Sequence, residues 1–355
     1  MKVLFDIGHP AHVHFFYNPI KILLQQGHEV LVTSRHKDIA INLLDSLDIQ
    51  HEPLSGLSKK GGILSLIYEL IYRDYKLIKI VNKFKPDIMT GIGGIFIAHA
   101  GIIKNIPSLV FYDTENATLQ NALTYPFASC VVVPECYQSW VPDKRHIKYS
   151  GYHELAYLKP NRFIPDYEIA TKNGLSKNGD TFLLRLVSWQ ANHDIGENGW
   201  SLDLLKKVIN KLEPHGKVIV SSESSLPDEL LNYSYEGEVS EIHHLMAFCR
   251  AFIGESATMA SECAVLGVPS VYAAETGRGY TDEQEKKYKL VKNIRDLQWS
   301  AIENGIEWLL SLDKEQISDS HMTLLNNTID VSAFVVDCIL KFPVPMIEYQ
   351  STRKK

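Results

Sequence analysis

The stretch Phe-Ile-Gly-Glu-Ser-Ala-Thr-Met-Ala-Ser-Glu-Cys-Ala-Val-Leu-Gly-Val-Pro-Ser-Val-Tyr, residues 252–272, decides the fold class of this chain. An apolar strand end runs into Gly254, a helix follows and ends at Gly267, and Val268-Pro269 opens another strand. That order predicts a strand–helix–strand unit of a parallel sheet, with a positive helix N-terminus at the carboxyl end of the first strand. The pattern indicates a site for a phosphate or pyrophosphate group.

Small and polar residues around this unit are candidates for contacts with a nucleotide. Glu255, Ser256, Ala257 and Thr258 surround the predicted helix start, and Glu262 follows about one turn later, where it can accept from sugar hydroxyls. Two flanking loops add further candidates. They are Ser188 and Gln190 after an earlier strand, and Arg278, Thr281 and Gln284 after the strand that Pro269 opens. A polar loop and a solvated helix start remain the alternatives for these two loops.

The composition is that of a two-domain globular protein. The chain has 355 residues, of which 45% are hydrophobic and 22% charged, and this is too long for one ordinary core. Its net charge of −6 argues against a general nucleic-acid binder. Five scattered cysteines without a Cys-x-x-Cys pair predict neither disulfides nor zinc and favour a reducing cytoplasm. No apolar run approaches about 18 residues, so we expect no membrane-spanning helix.

Strand and helix patterns alternate in two series, which predicts parallel βαβ units. The first series fills residues 1–158 and the second fills 181–325, with a Pro- and Gly-containing linker at 159–180 and a C-terminal helix and tail at 326–355 that can pack back on the first domain. We expect an α/β protein with two doubly wound, Rossmann-like domains facing a central cleft. The expected strands are 2–7, 29–33, 107–111, 130–133, 182–187, 217–221, 251–253 and 270–273. The expected helices include one from about 13 to 26 and a longer one at 64–84.

The loop Gly8-His9-Pro10-Ala11-His12-Val13-His14 carries three histidines at the carboxyl end of the first predicted strand. Ligands collect there in open α/β sheets, and histidine has the pKa for acid–base work near neutral pH. His12 is the first candidate for a general base, His9 for a second catalytic group and His14 for an acceptor contact. The alternative is one histidine that caps the helix and two that are solvated. No nearby carboxylate or cysteine completes a metal site.

Two further loops of the first domain are candidates for the cleft. Gly91-Ile92-Gly93-Gly94 allows close backbone approach, with Gly93 and Gly94 as cleft residues. It is not Gly-x-Gly-x-x-Gly, which argues against a nicotinamide-dependent dehydrogenase. After the strand 107–111, Asp113, Glu115 and Asn116 are candidates for acceptor contact. A polar helix cap is the alternative there, and we expect no dedicated metal site.

Residues 57–85 carry seven basic side chains against two acidic ones, interleaved with apolar residues. Such a stretch can dock on an anionic membrane surface. The alternative is a core helix with a lysine-rich solvent face. We therefore expect a cytoplasmic protein, for which a peripheral contact with the inner face of the plasma membrane stays open.

In order along the chain, these motifs resemble the GT-B superfamily, and within it the N-acetylglucosaminyltransferases that make lipid II in peptidoglycan synthesis. Ala11-His12-Val13 resembles their Gly-His-Val, Gly91-Ile92-Gly93-Gly94 their Gly-Met-Gly-Gly, and Glu115-Asn116-Ala117 their Glu-Gln-Asn. Ser188-Trp189-Gln190 stands at their Gly-Ser-Gln-Gly turn, and Ser256-Ala257-Thr258 with Glu262 resembles their Ser-Gly-Ala…Ser-Glu. The opening, residues 6–12, also resembles an uncharacterised bacterial and archaeal family of GT-B-like proteins.

The resemblance implies a GT-B fold and a metal-independent glycosyltransferase without a cofactor. It would move a sugar from a nucleotide-diphosphate sugar, preferably a UDP-sugar, to a glycan or lipid-linked acceptor in cell-surface polysaccharide synthesis. Trp189 replaces a glycine and Gln284-Glu285 replaces a Gln-Gln pair, so the sugar and the nucleotide stay open. Two alternatives remain. One is a UDP-sugar 2-epimerase, although its usual Arg-Pro-Glu is missing from the first loop. The other is a non-catalytic sugar-nucleotide-binding subunit.

Overall fold

The computed structural model describes residues 1–35, 38–54, 63–187 and 199–353. These residues form two compact units: unit 1 is Met1–Tyr157 with Ile329–Lys355, and unit 2 is Leu158–Thr328. Each unit contains one parallel β-sheet with helices in the connections between its strands. Both are therefore α/β structures, as the alternating sequence pattern predicts.

The elements of the first 158 residues alternate between strands and helices, with one exception. They are β1 (Lys2–Ile7), α1 (Pro10–Gln25), β2 (Glu29–Arg35), α2 (Asp38–Ser46), β3 (His51–Leu54), α3 (Ile63–Phe84), β4 (Ile88–Ile92), α4 (Ile95–Lys104), β5 (Ser108–Phe111), α5 (Thr118–Thr124), β6 (Cys130–Pro134), β7 (His146–Tyr149) and α6 (Leu155–Leu158). The exception is that β7 follows β6 without a helix between them.

The remaining elements continue the alternation and end in helices. They are α7 (Tyr167–Lys172), β8 (Thr181–Leu186), α8 (Leu202–Leu212), β9 (Lys217–Ser222), α9 (Ile242–Met246), β10 (Ala251–Gly254), α10 (Ala257–Val265), β11 (Ser270–Ala273), α11 (Gly279–Lys286), β12 (Val291–Ile294), α12 (Trp299–Ser311), α13 (Lys314–Asn326), α14 (Val331–Lys341) and α15 (Val344–Thr352). Within the described residues, 3₁₀ segments lie at Glu213–His215, Asp228–Tyr233 and Val239–Glu241.

The sheet of unit 1 has seven strands in the order β3-β2-β1-β4-β5-β6-β7. From β1 the chain proceeds to β2 on one side, and from β4 it proceeds to β5 on the other. The order therefore reverses between β1 and β4, where Asp6 stands in register with Gly91. The carboxyl ends of strands at such a reversal open a crevice in which ligands bind.

The sheet of unit 2 has five strands in the order β12-β11-β10-β8-β9. Its order reverses between β8 and β10, where Gly254 is in register with Arg185. A Cβ at Gly254 would lie 2.3 Å from the carbonyl oxygen of Arg185, so only glycine fits at this close approach. The stretch 252–272 thus forms β10, α10 and β11 at the switch point of its own sheet.

Aliphatic and aromatic side chains from the strands and the facing helices build the cores. In unit 1, Val3, Leu4 and Phe5 of β1 are fully buried, as the continuous apolar run of a central parallel strand requires. In unit 2, β8 and β10 contribute Leu184 and Ile253 to a cluster closed by α8 and α12. Burial of both faces of each sheet fixes its strands. The points at the carboxyl ends of the strands, where the loops begin, are fixed with them.

Several short elements differ from the sequence expectations. Strands β3, β7 and β12 have four residues each, too short for a clear period in the sequence. Residues 159–180, expected as a linker, contain helix α7 and belong to unit 2. Helix α1 begins at Pro10 rather than near Val13 because His9 caps it and Pro10 occupies its first position.

One stretch of the described residues, Lys314–Lys341, has the length and hydropathy of a membrane span, and 44% of its apolar window is buried. It is two helices, α13 and α14, and Asp330 caps the second of them. Val331, Val335 and Ile339 of α14 are buried in the core of unit 1. This is the pattern of a core helix.

Candidate functional site

A cavity of about 390 Å³ opens in unit 1 at the switch point between β1 and β4. Its wall combines the end of β1, the start of α1, the end of β4 and the start of α4 with one residue each from β3, α3 and α5. The lining residues are Asp6, Ile7, Gly8, His9, His12, Leu54, Arg73, Ile92, Gly94, Ile95, Phe96 and Gln120. The cavity thus brings together His9, His12 and Gly94, three of the residues that the sequence singles out.

Asp6 is the acidic group that lines this cavity, and it is the second-last residue of the central strand β1. Thr33 on β2 donates its hydroxyl hydrogen bond to Asp6 Oδ1 at 2.8 Å. Burial raises the pKa of Asp6 from 3.8 to about 6, although the Thr33 hydrogen bond and the positive charge of Arg73 both oppose that rise. A carboxyl group with this pKa exchanges protons near neutral pH, which is the property of a general acid or base.

His9 and His12 have their ring orientations set by backbone N–H groups. His9 is the N-cap of α1, and its Nδ1 accepts from the N–H of Ala11 at 3.2 Å. The Nδ1 of His12 accepts from the N–H of Gly8, also at 3.2 Å. A backbone N–H can only donate, so each neutral ring carries its proton on Nε2. This tautomer makes Nε2–H of His12 a hydrogen-bond donor, which differs from the base role expected from the sequence.

His14 lies away from the cavity wall. Two residues beyond His12 on α1, it points to another side of the helix, and its ring stacks on Tyr157 with centroids 5.3 Å apart. His14, expected as an acceptor contact, is therefore not among the residues that line this cavity.

Arg73 brings a buried positive charge to the cavity from the middle of α3. Its side chain is only 8% exposed. It forms an ion pair with Glu69 one turn earlier and lies over the ring of Phe96, 5.5 Å from the centroid. Because Phe96 also lines the cavity, the guanidinium and the ring form one wall with both cationic and apolar character.

The glycine-rich turn after β4 shapes the opposite wall. The hydroxyls of Tyr112 and Thr124 both donate to the carbonyl of Gly93, at 2.6 and 2.9 Å. Gly93 has φ +72, and a Cβ there would lie 1.7 Å from Nε2 of Gln120. The absence of a side chain at Gly93 therefore lets Gln120 reach the cavity, while Gly94, with φ +36, begins α4 without a capping side chain.

Asp113, predicted as an acceptor contact, is an ion-paired carboxylate after β5. His153 Nδ1 lies 3.1 Å from its Oδ2, and Thr114 donates to its Oδ1 at 2.9 Å. Burial alone would raise the pKa of Asp113, but the positive charge of His153 and the hydrogen bonds from His153 and Thr114 lower it to about 2. Asp113 is thus ionised throughout the neutral range. Glu115 is partly buried beside it and Asn116 is exposed.

In unit 2 the turn between β10 and α10 has the geometry that the sequence predicts. Ser256 is the N-cap of α10, and its hydroxyl accepts from the N–H of Met259 at 3.2 Å. Ala257 and Thr258 follow in the first turn, where the remaining N–H groups and the helix dipole favour an anion. Glu255 accepts from the N–H groups of Val187 and Trp200, at 3.1 and 2.8 Å. Glu255 therefore holds Val187 and Trp200, which lie before and after residues 188–198 in the chain.

Glu262, expected to hold a ribose, forms a buried pair with a histidine. Its Oε1 lies 2.9 Å from Nε2 of His243 on α9, and the two residues are 6% and 7% exposed. Glu262 lies one turn behind Thr258 on α10. The pair fixes the direction of the carboxylate toward one side of the helix.

Of the remaining donor candidates, Arg278 is partly exposed and donates to the carbonyl of Gly277 at 2.8 Å. Two others are buried, and two lie outside the described residues. Thr281 and Gln284 are fully buried: Thr281 donates to the carbonyl of Arg278 at 3.0 Å, and Gln284 donates to Ser261 at 2.8 Å. The Thr281 hydrogen bond closes the first turn of α11, and the Gln284 hydrogen bond holds α11 against α10. Ser188 and Gln190 lie outside the described residues.

Sequence reasoning missed three polar residues of the cavity. Asp6 is contained in a short apolar strand, Arg73 stands among the lysines of a basic helix, and Gln120 is a polar residue of a short helix. The available signals were an acid at the carboxyl end of β1 and a charge at an inward position of α3. Within the described ranges, no three His, Cys, Asp or Glu side chains group as a metal site.

The chain belongs to the family described as protein of unknown function (DUF354), whose model matches residues 1–299. An uncharacterized protein of Methanocaldococcus jannaschii is 26% identical over 286 residues, which cover 76% of this chain and 81% of that protein. These two matches confirm the resemblance to an uncharacterised family that was inferred from the sequence.

Solved structures with a similar fold include enzymes of two kinds. The UDP-GlcNAc 2-epimerase of Neisseria meningitidis, bound to UDP-GlcNAc, has a TM-score of 0.66 at 14% identity, over 96% of this chain and 100% of that chain. MurG of Acinetobacter baumannii has a TM-score of 0.60 at 13% identity, also over 96% and 100%. At these identities the likeness shows the fold alone. The α/β GT-B fold is confirmed, and it is one that glycosyltransferases share with UDP-GlcNAc 2-epimerases.

Proposed function

We propose that this protein is a metal-independent glycosyltransferase that moves a sugar from a nucleotide-diphosphate sugar to a hydroxyl of a glycan or lipid-linked acceptor. The observation that carries the proposal is the pairing of two switch points in one GT-B chain. One has an anion-binding helix start, and the other has a cavity with acid–base groups. Transfer of a glycosyl group requires both chemistries: an electrophilic leaving group must be stabilised and a hydroxyl must lose its proton.

The donor belongs at unit 2 in this proposal. The N–H groups at the start of α10, with Ser256 and Thr258, neutralise the diphosphate as negative charge develops on it, which is the task of a metal ion in other transferases. Glu262, whose Oε1 lies beside Nε2 of His243, accepts from the ribose hydroxyls. A similar structure with UDP-GlcNAc bound supports a UDP-sugar as donor.

The acceptor belongs at the cavity of unit 1. A volume of about 390 Å³ is at the small end of ligand pockets and suits one sugar ring or a similar polar group. Phe96 offers an apolar face, while Gln120, His12 and Asp6 offer donors and an acceptor. His12 remains at the reacting centre, with Nε2–H as a donor to an oxygen of the ligand.

A 2-epimerase is the second candidate, because one cavity holds both a carboxyl group of raised pKa and an imidazole. Epimerisation at C2 of a sugar needs a proton removed from one face and returned to the other, for which two acid–base groups in one cavity are suited. The 2-epimerase fold is also the more similar of the two compared structures by TM-score.

Contact with a membrane surface would suit a lipid-linked acceptor, and the outer face of α3 supports it. Tyr68, Ile71 and Tyr75 are 61%, 59% and 55% exposed. Lys76 and Lys79 lie over the rings of Tyr72 and Tyr75, at 5.3 and 4.6 Å from the centroids. Exposed aromatic and basic side chains along one face are typical of a helix at an anionic lipid surface. We propose a cytoplasmic enzyme with this peripheral contact.

The first test is calorimetric titration of the full chain with UDP, GDP, CMP, ADP and their common sugars. We expect one nucleotide family to bind, with an affinity about tenfold lower in the Glu262→Gln variant. The bound sugar nucleotide is then incubated with the enzyme and followed by proton NMR. Release of the free nucleoside diphosphate indicates transfer, with water as the default acceptor, whereas a C2 epimer that is still nucleotide-linked indicates the epimerase.

Two results would contradict the proposal. Binding of none of these nucleotides would exclude a donor site at α10. Binding without any turnover, with water or with added saccharides, would favour the sugar-nucleotide-binding subunit over both enzymes.

A further inference from the structure

The cavity of unit 1 contains three groups that can move a proton, Asp6, His9 and His12. The hydrogen bonds of Asp6 and His12 give these two groups different roles. Nδ1 of His12 is engaged by the N–H of Gly8 at 3.2 Å. A neutral imidazole held in this way has its proton on Nε2, so the ring has a hydrogen to give and its lone pair is already bound. For this ring to act as base, the Gly8 hydrogen bond would first have to break.

Asp6 has the opposite arrangement. Thr33 is fully buried on β2 and donates to Oδ1 of Asp6 at 2.8 Å, while the Asp6 side chain lines the cavity. Among the residues that the structure describes, Oδ2 is therefore the carboxylate oxygen left for a ligand. Thr33 also donates weakly to the carbonyl of Phe5, at 3.4 Å, which keeps its hydroxyl on this side of the sheet.

The rest of the cavity wall fits a carboxylate that must be ionised to work. Arg73 supplies a buried positive charge whose field lowers the pKa of Asp6, against the larger effect of burial. Gly91 makes the close contact with β1 possible, because a Cβ there would lie 2.9 Å from the carbonyl oxygen of Asp6. Asp6 is thus held between β2 and β4 at the centre of the sheet edge.

We infer that Asp6, rather than His12, is the general base of the unit 1 cavity, and that its substrate group is a hydroxyl. The inference rests on the proposed function. In the transfer step, Oδ2 of Asp6 takes the proton of the acceptor hydroxyl while the acceptor oxygen bonds to C1 of the donor sugar. The bond from C1 to the diphosphate oxygen breaks, and its electron pair leaves with the nucleoside diphosphate. Asp6 then returns the proton to solvent, and His12 holds an oxygen of the ligand through Nε2–H.

The test measures nucleoside diphosphate release from the sugar nucleotide that the protein binds, between pH 5 and about pH 9. We expect kcat/KM of the wild type to rise with pH through an ionisation near the pKa of Asp6, which is about 6. This rise of kcat/KM with pH is the acidic limb of the pH profile. Asp6→Asn should lower kcat by about 10²-fold or more and abolish the acidic limb, while the donor Kd stays unchanged. His12→Gln should lower the rate but keep the limb.

A second pair of variants separates a proton-transfer role from a structural one. Thr33→Val removes the hydrogen bond that stabilises the carboxylate, so we expect the acidic limb to move to higher pH. Thr90→Val is the matched control, because Thr90 is equally buried on the other neighbour of β1 and its hydroxyl has no hydrogen-bond partner within the described ranges. Its limb should stay in place.

The outcomes distinguish this inference from the proposed function. Turnover in which Asp6→Asn stays within about threefold of wild type, or in which His12→Gln abolishes the limb, would leave the transferase and exclude Asp6 as its base. A sugar nucleotide that does not bind, or binds and is never turned over, would contradict the proposed function and the role of Asp6 with it.

Discussion

At the scale of single residues, Asp6 should make the protein less stable at neutral pH than at acidic pH. Its pKa is raised from 3.8 to about 6, so between these values the folded state binds more protons than the unfolded state. The free energy of unfolding therefore falls as the pH rises through this window and stays lowered above it. We expect Asp6→Asn to be up to about 3 kcal/mol more stable than wild type at pH 8, and equal to it at about pH 3.5.

Urea unfolding at the two pH values measures this difference. Asp143→Asn is the control, because Asp143 is exposed on a loop and its replacement should change little at either pH. Equal stability of Asp6→Asn and wild type at pH 8 would mean that burial of the ionised Asp6 carboxylate does not destabilise the folded state. Greater stability together with lost activity is the expected sign of a group retained for function.

Glu262 should tolerate an amide better than an alanine. In Glu262→Gln the side chain still accepts from His243, so we expect folding stability close to wild type and a donor affinity about tenfold lower, since a neutral amide binds ribose hydroxyls more weakly. Glu262→Ala removes the acceptor of a buried imidazole and should cost about 1–3 kcal/mol of stability. Thermal unfolding and calorimetry on both variants check this. A full loss of folding in Glu262→Gln would contradict it.

Residue types and strand ends were enough to predict part of the cavity. His9, His12 and Gly94 follow directly from loops at the carboxyl ends of predicted strands. Asp6 was not found because it interrupts an apolar strand, and Arg73 was not found because it stands among the lysines of α3. A sequence does not say whether such a charge faces solvent or a cavity. The tautomer of His12 is also a matter of geometry, because it depends on the N–H of Gly8 four residues away.

At the scale of elements, the start of α10 should differ from a helix start that only needs a cap. Ser256 caps α10 and Ser201 caps α8, each through a hydrogen bond to the third residue beyond it, at 3.2 and 3.1 Å. We expect Ser256→Ala and Ser201→Ala each to cost about 1 kcal/mol of stability. Only Ser256→Ala should weaken sugar-nucleotide binding, by about tenfold. Equal binding by the two variants would remove Ser256 from the donor site.

The outer face of α3 should bind anionic lipid. We expect the full chain to sediment with vesicles that contain phosphatidylglycerol but not with pure phosphatidylcholine, and to dissociate as salt screens the lysines. Ile71→Glu should abolish this sedimentation, because it places a negative charge among exposed tyrosines. Ile164→Glu is the control, since Ile164 is 83% exposed on unit 2. Equal loss in both variants, or binding to neither vesicle, would contradict the contact.

Long elements were predictable from the sequence and short ones were not. The apolar period of α3 places the helix at 64–84 against the observed Ile63–Phe84. In contrast, β7 is the four-residue segment His-Ile-Lys-Tyr, in which the ring of His146 is buried and bonded to the carbonyl of Pro142. Its strand conformation comes from pairing with β6, and pairing between distant segments leaves no local signal.

At the scale of the whole molecule, the end of the chain completes the unit that its beginning forms. Ser332 donates to the carbonyl of Ala156 at 2.6 Å, and the N–H of Ile329 donates to the carbonyl of Ser150 at 3.0 Å. Near the end of the chain, Arg353 lies 3.1 Å from the ring of His146. Helix α14 packs on α1, the helix that His9 caps and that carries His12. The C-terminal segment therefore supports the candidate cavity without lining it.

A chain that ends at Thr328 should keep unit 2 folded and lose unit 1. The truncation removes Val331, Val335 and Ile339, all with no exposed surface, and each such side chain contributes about 1.5–3 kcal/mol on burial. Their sum is comparable with the stability of a domain, about 5–15 kcal/mol. Limited proteolysis with mass spectrometry should yield a protected fragment within 158–328 and rapid cleavage before it, whereas a chain that ends at Arg353 should resist like wild type.

Sugar-nucleotide binding should survive the truncation while turnover disappears, because the donor residues lie in unit 2 and Asp6 in unit 1. Turnover by the truncated chain would show that the chemistry does not depend on the cavity beside Asp6.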